Sequence, residues 1–171
     1  MRRNFRFSLC IFKIIILLVA IFTISGLAVA DTAPKFALLN GKGDLVKLSG
    51  LIQKNNIIIA FWASYCAPCK REIPQLVDLE NKYGKTKNLK LVLINIDKEG
   101  KEKGVPFLKD INLSSGECLF DIYQLTIKKY VPSMKLPATY LVNKKGDMLF
   151  KAIGETQENI NNLEKAIQGM Q

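Results

Sequence analysis

The chain has 171 residues, a formal net charge of +10, four cysteines and no histidine. The missing histidine excludes c-type haem attachment, Cys/His zinc sites and a Ser/His/Asp triad. Its lysines are scattered rather than drawn into the basic stripe with interleaved aromatics that a nucleic-acid reader needs, so no nucleic-acid partner is expected and the excess charge reads as solvated surface, with a weak preference for anionic lipid headgroups left open.

Residues 1–30 read as an export signal. Arg2, Arg3 and Arg6 form a positive n-region, Ile14 to Ile24 is apolar apart from Thr23, and Ala28-Val29-Ala30 is a small-residue cleavage site before Asp31. The alternative is an uncleaved membrane anchor, since Ile14 to Ala30 is 17 residues, near the lower limit for a spanning helix. Either reading puts the rest of the chain in the periplasm or otherwise outside the cytoplasm. Removing residues 1–30 takes Arg2, Arg3, Arg6 and Lys13 away, leaving 21 basic against 15 acidic residues and a net +6. The remaining residues 31–171 suffice for one domain with a sizeable core, expected to be a monomer.

Along that domain, Lys35 to Leu39 and Leu45 to Leu48 read as short strands joined by the turn Asn40-Gly41-Lys42-Gly43-Asp44. Ser49 to Gln53 is a short helical turn or loop. Ile57 to Ala63 is a continuous apolar, β-branched run, the pattern of a central strand buried on both faces. Ala67 to Tyr83 has helical periodicity in Ile73, Leu76, Val77 and Tyr83, with Gly84 closing it and Pro74 expected to kink it. Leu89 to Ile96 reads as a second buried strand, and Lys98 to Asp110 as a weaker helix interrupted by Gly104 and Pro106. Cys118 to Ile122 is a short strand and Tyr123 to Tyr130 a short helix. Ala138 to Val142 and Met148 to Ile153 flank Asn143-Lys144-Lys145-Gly146-Asp147 as a hairpin. Thr156 then caps a last amphipathic helix carrying Ile160, Leu163 and Ile167. Strands alternating with helices and ending in a hairpin give an α/β sandwich with a mixed central sheet flanked by helices.

The chemistry concentrates in Cys66-Ala67-Pro68-Cys69, between the buried strand and the helix. A cysteine at a helix start faces unpaired N–H groups and the positive end of the dipole, which stabilise its thiolate, so Cys66 is the expected nucleophile. Cys69, one turn later on the same face, can resolve a mixed disulfide formed on Cys66. Pro68 fits because first-turn N–H groups lack an intrahelical partner. A merely structural disulfide is the alternative, although closing so short a loop adds little stability.

The stretches Phe61-Trp62-Ala63-Ser64-Tyr65-Cys66-Ala67-Pro68-Cys69, Lys70-Arg71-Glu72-Ile73-Pro74 and Leu136-Pro137-Ala138-Thr139-Tyr140-Leu141-Val142 together resemble the thioredoxin superfamily, in its exported TlpA/ResA-like branch that includes CcmG/DsbE-type proteins of cytochrome c maturation. The resemblance implies a thioredoxin-like fold and a redox-active Cys66–Cys69 disulfide. It also implies a cis peptide bond before Pro137 against the dithiol, which would leave the Leu136 backbone to pair with substrate; from sequence alone Pro137 reads equally as the start of a strand. Tyr65, Ala67, Pro68, Leu136 and Pro137 are the expected substrate contacts. No cofactor and no metal are expected.

Three departures stand out. Tyr65 replaces the family's usual tryptophan, Ala60 stands where cytoplasmic thioredoxins keep a buried aspartate, and the stretch Ile111 to Ser133 matches family spacing poorly. With the aspartate missing, Glu72 is the nearest titratable group in sequence able to handle the Cys69 proton. From sequence alone it reads as a solvated helix-surface charge; the resemblance makes it part of the site, and Glu80, further along the helix, serves as the surface comparison. Cys118 reads as a buried, inert thiol, with a regulatory disulfide as the alternative. Phe61 and Trp62 read as core.

The expected activity is a protein-disulfide reductase acting on an exported cysteine-containing protein such as apocytochrome c, kept reduced by a membrane thiol-electron donor. Ala67-Pro68 offers no side-chain donor to stabilise the thiolate, unlike the histidine of strongly oxidising relatives. The alternative of another class is a Cu(I)-holding or chaperone-like module of the same fold, since soft thiolates suit that ion.

Overall fold

The computed structural model describes residues 31–110 and 117–170. The expected export segment, residues 1–30, and part of the poorly matching stretch lie outside the described residues. Seven strands form one sheet in the order β2-β1-β5-β4-β3-β6-β7. They are β1 (Ala37–Asn40), β2 (Leu45–Lys47), β3 (Asn56–Trp62), β4 (Leu89–Asn95), β5 (Glu117–Phe120), β6 (Ala138–Val142) and β7 (Met148–Ile153). The helices are α1 (Leu48–Ile52), α2 (Ala67–Tyr83), α3 (Lys101–Asp110), α4 (Leu125–Tyr130) and α5 (Gln157–Gly169).

β3, β4 and β5 run parallel, while β6, β7, β1 and β2 join by antiparallel pairing. The unbroken apolar run of β3 is explained by its place: β4 and β6 flank it, and helices cover both faces. Successive residues point to opposite faces. On one side Trp62 packs on Phe107 of α3 with ring centroids 5.0 Å apart, and Thr139 of β6 meets Glu72 of α2. On the other, Phe61 packs on Tyr130 of α4 at 5.1 Å and edge-on against Tyr140 at 6.2 Å. The result is the expected three-layer sandwich.

Both hairpin turns are built by the same side-chain chemistry. Asn40 Oδ1 accepts the N–H groups of Lys42 and Asp44, each at 2.9 Å; Asn143 Oδ1 accepts those of Lys145 at 2.8 Å and Asp147 at 2.9 Å. Gly43 and Gly146 take the positive φ that closes each turn, +93° and +89°.

Two expectations need correction. Gly104 does not interrupt its helix: α3 runs unbroken from Lys101 to Asp110 through Gly104 and Pro106, and a Cβ at Gly104 would lie 3.0 Å from the Phe120 ring and 3.2 Å from the Asn95 amide carbon. The glycine is there because the helix presses against the sheet. Glu80 is not a surface residue. It is buried, and its Oε1 accepts the Leu91 N–H of β4 at 3.0 Å, tying α2 to the central sheet. Pro74 lies on the exposed side of α2, which stays helical from Ala67 to Tyr83.

Candidate active site

The site is built where β3 ends. Its last residue, Trp62, hands the chain through Ala63, Ser64 and Tyr65 to Cys66, the N-cap of α2. Cys66 and Cys69 are joined by a disulfide, S–S 2.04 Å. The Cys69 N–H, one of the orphan donors of the first helical turn, points at Cys66 Sγ at 3.2 Å. This is the local electrostatics that favours negative charge on Cys66 sulfur. Cys66 keeps 7% of its surface exposed and Cys69 none, so only the first sulfur is open to an incoming group. Tyr65 is 71% exposed and Ala67 is exposed beside it, with Pro68 half-buried.

The register of β6 against β3 brings the second stretch to the same place. Ala138 lies opposite Phe61, so Leu136 and Pro137 sit beside the Trp62 end of β3, from which the dithiol loop departs. The Leu136–Pro137 peptide is cis. Pro137 is buried, Leu136 is half-buried, and the Pro137 carbonyl accepts the Gly154 N–H at 2.8 Å.

Glu72 faces inward, with 2% of its surface exposed, one helical turn beyond Cys69 on the inner side of α2. The Thr139 hydroxyl donates to its carboxylate, 3.1 Å from each oxygen. Thr139 is the cross-strand neighbour of Ala60. The carboxylate from α2 therefore reaches over the sheet beside a strand position that holds only a methyl group. Burial pushes the Glu72 carboxyl up to about 7; the Thr139 hydrogen bond opposes this and the Glu155 charge adds to it. Glu155 itself pairs with the Arg71 guanidinium at 2.9 Å on the surface of the same helix turn.

The sequence reading missed the clamp on the loop. Asp97, buried just past the end of β4, accepts the Ser64 N–H at 2.9 Å, the Ser64 hydroxyl at 3.1 Å and the Asn95 amide at 2.7 Å. Ile96 N–H donates to the Trp62 carbonyl at 2.9 Å. Trp62 and Ser64, on either side of Ala63, are thereby fixed to the neighbouring strand. Asn95-x-Asp97 after an apolar strand was the available signal, polar residues closing a buried run at the end of the sheet that carries the dithiol.

Cys118 stands apart from this chemistry. It is a free, half-buried thiol on β5. Burial pushes it up to about 12, with the Trp62 indole drawing it partly back, so it stays protonated and a poor nucleophile. Lys70 lies over the Phe107 ring at 5.7 Å from its centroid, covering the outer side of the α2–α3 contact. Among the described residues no group of three or more His, Cys, Asp or Glu side chains is placed to hold a metal ion.

A dithiol at a helix N-terminus, on a mixed sheet closed by a cis-proline strand, defines a thiol-disulfide oxidoreductase of thioredoxin-like fold. The chain belongs to the AhpC/TSA family, whose model matches residues 29–150. It is similar to the thiol-disulfide oxidoreductase ResA of a Bacillus cereus strain, 29% identical over 133 residues that cover 77% of this chain and 74% of the relative. It is also similar to the thioredoxin-like protein YneN of Bacillus subtilis, 29% identical over 71% of this chain and 69% of that one. Among solved structures, one assigned as a thiol:disulfide interchange protein DsbE from Chlorobium tepidum superposes with a TM-score of 0.72 at 28% identity, covering 81% of this chain and 94% of its own.

Proposed function

We propose that the protein is an extracytoplasmic reductant of disulfides in exported proteins, with apocytochrome c as the representative substrate, and that a membrane thiol-electron donor keeps it reduced. The Cys69 N–H aimed at Cys66 Sγ at 3.2 Å is the observation that carries the reading. In the reductive half-cycle the Cys66 thiolate attacks a substrate disulfide, forming a mixed disulfide and expelling one substrate thiolate. The Cys69 thiol gives its proton to the Glu72 carboxylate and attacks Cys66 Sγ. The Cys66–Cys69 disulfide then forms and the second substrate sulfur leaves, taking a proton. Two electrons pass from the dithiol to the substrate, and the donor's dithiol returns the pair to its reduced state.

Glu72 suits the proton step because a carboxyl near 7 takes up and gives back a proton at neutral pH. Tyr65, Ala67 and Pro68 form one rim of the substrate contact, and Leu136 and Pro137 the other. The export reading of residues 1–30 supplies the oxidising compartment in which such disulfides arise. Capture tests the proposal: with Cys69→Ala, mixed disulfides with exported cysteine proteins accumulate on Cys66, while Cys66→Ala captures none. The reverse pattern would overturn the assignment of roles.

A further inference from the structure

The end of the sheet away from the dithiol is lined with lysines. Opposite the dithiol, the molecule is closed by the N-terminal ends of β3 and β4, the β6–β7 turn and the C-terminus of α5. This end carries Lys54, Lys85, Lys87, Lys144 and Lys145, and all but Lys87 are exposed. The Lys87 ammonium turns inward onto the carbonyls of Gln168 and Met170. Lys144 and Lys145 are held at the turn tip through their backbone: the Lys144 N–H donates to Asn56 Oδ1 at 3.2 Å and the Lys145 N–H to Asn143 Oδ1 at 2.8 Å. Their ammonium groups remain at the surface. Among the described residues the acidic side chains at this end are Asp31 and Asp147, and the second is held by the Asn143 amide at 2.8 Å.

The chain also enters the domain here. The Asp31 carbonyl accepts the Met148 N–H at 2.7 Å, the Ala33 N–H donates to the Gly146 carbonyl at 2.9 Å, and Thr32 bridges Asp147. The described residues therefore begin, at Asp31, beside the lysines, and in sequence the apolar stretch Ile14 to Ala30 immediately precedes that residue.

We propose that this lysine pole is a docking face for an anionic phospholipid surface, with residues 14–30 as the tether. The proposal goes beyond the thiol chemistry and rests on the anchor reading of that segment. Each lysine brought to an anionic surface multiplies binding about fivefold, and a tether fixes the effective concentration. The dithiol, seven strand residues away along β3, then stands roughly 25 Å above the headgroups. That is well beyond a Debye length of about 8 Å. The Cys66 thiolate thus faces incoming protein substrate, out of reach of the membrane's negative potential.

The test uses the full chain in vesicles of phosphatidylcholine alone or with about 30% phosphatidylglycerol, labelled with a membrane-impermeant amine-acylating reagent and read lysine by lysine. Lys54, Lys85, Lys144 and Lys145 are expected to react at least about threefold more slowly on the anionic vesicles, with Lys128 and Lys129 unchanged and the protection lost at high salt. Lys144→Glu with Lys145→Glu, at exposed side chains, is expected to remove the protection at Lys54 and Lys85 while leaving dithiol reactivity as in wild type. A chain that stays embedded in both vesicle types and labels identically overturns the docking face and leaves the tether standing. One that washes off both in alkaline carbonate overturns tether and docking face together. Either result leaves the proposed reductase activity untouched.

Discussion

The Thr139 hydroxyl bridges both oxygens of the Glu72 carboxylate at 3.1 Å, joining α2 to β6 beneath the dithiol. A buried carboxyl, pushed up to about 7 chiefly by desolvation, is thereby held one helical turn from Cys69, which couples its charge state to the fold and to the nearby thiol.

Stability should therefore depend on pH through Glu72. Its folded pKa is raised from 4.5 to about 7, so the folded state binds the proton more tightly than the unfolded one. The stabilisation is complete below about 4.5 and is lost as pH rises through about 7. Relative to wild type, oxidised Glu72→Gln should gain on the order of 3 kcal/mol between pH 4 and pH 8. Urea unfolding at both pH values checks this, and parallel pH profiles for the two proteins would count against it. Asp78, exposed on the same helix, is the proper control in place of the buried Glu80.

Thr139→Val keeps the shape and removes the donor. Since the hydroxyl lowers the Glu72 pKa against the larger effect of burial, its loss should move the carboxyl titration above that of wild type. The cost in stability should be about 1–2 kcal/mol at pH 8, where a charged acceptor loses its bond, and smaller at pH 4. Carbon-13 NMR of the Glu72 carboxyl follows the titration directly; an unmoved midpoint would contradict the coupling.

In the reduced protein the thiols should differ in reactivity, with Cys66 alkylated far faster than the fully buried Cys69. Glu72→Gln should lower the Cys69 pKa by removing a nearby negative charge. Cys118 should alkylate only on unfolding, and Cys118→Ala should leave disulfide exchange unchanged. Mass-resolved alkylation against pH reads all three cysteines in one experiment.

The Asp97 clamp should matter to the loop before Cys66 more than to the sheet. Ser64→Ala removes one hydroxyl bond and should cost about 1 kcal/mol. Asp97→Ala strands the Ser64 N–H and the Asn95 amide, costs about 3 kcal/mol, and should speed amide exchange at Ser64 and Tyr65. Hydrogen exchange that changes equally throughout β4 would show Asp97 to be a general support of the fold.

Much of this was legible in local pattern. The α2 limits, Ala67 to Tyr83, and the buried strand ahead of them follow from periodicity and first-turn chemistry. The two Asn-x-x-Gly-Asp turns declared both hairpins, because their Asn side chains fold the backbone locally. What stayed hidden were contacts made across the sequence. Thr139 and Glu72 lie 67 residues apart and Ser64 and Asp97 lie 33 apart, so nothing in either local stretch marks the partnership. Glu80 misled by its charge: its helical neighbours Ile73, Leu76, Val77 and Tyr83 form the core-facing side of α2, and only the packing of β4 against α2 reveals the Leu91 N–H that its carboxylate satisfies. Gly104 signals a helix break by propensity, yet close helix-to-sheet approach decides its role.

The direction of electron flow is tested most directly by redox titration of the Cys66–Cys69 couple against defined thiol buffers. Ala67-Pro68 lends no side-chain donor to a Cys66 thiolate, and a buried carboxylate beneath Cys69 disfavours further negative charge, so the proposed reductant role predicts a disulfide favoured over the dithiol. The expected midpoint lies below about −220 mV, on the reducing side of the glutaredoxins. A midpoint near about −120 mV, the range of strong periplasmic oxidants, would contradict the account and make the protein a donor of disulfides.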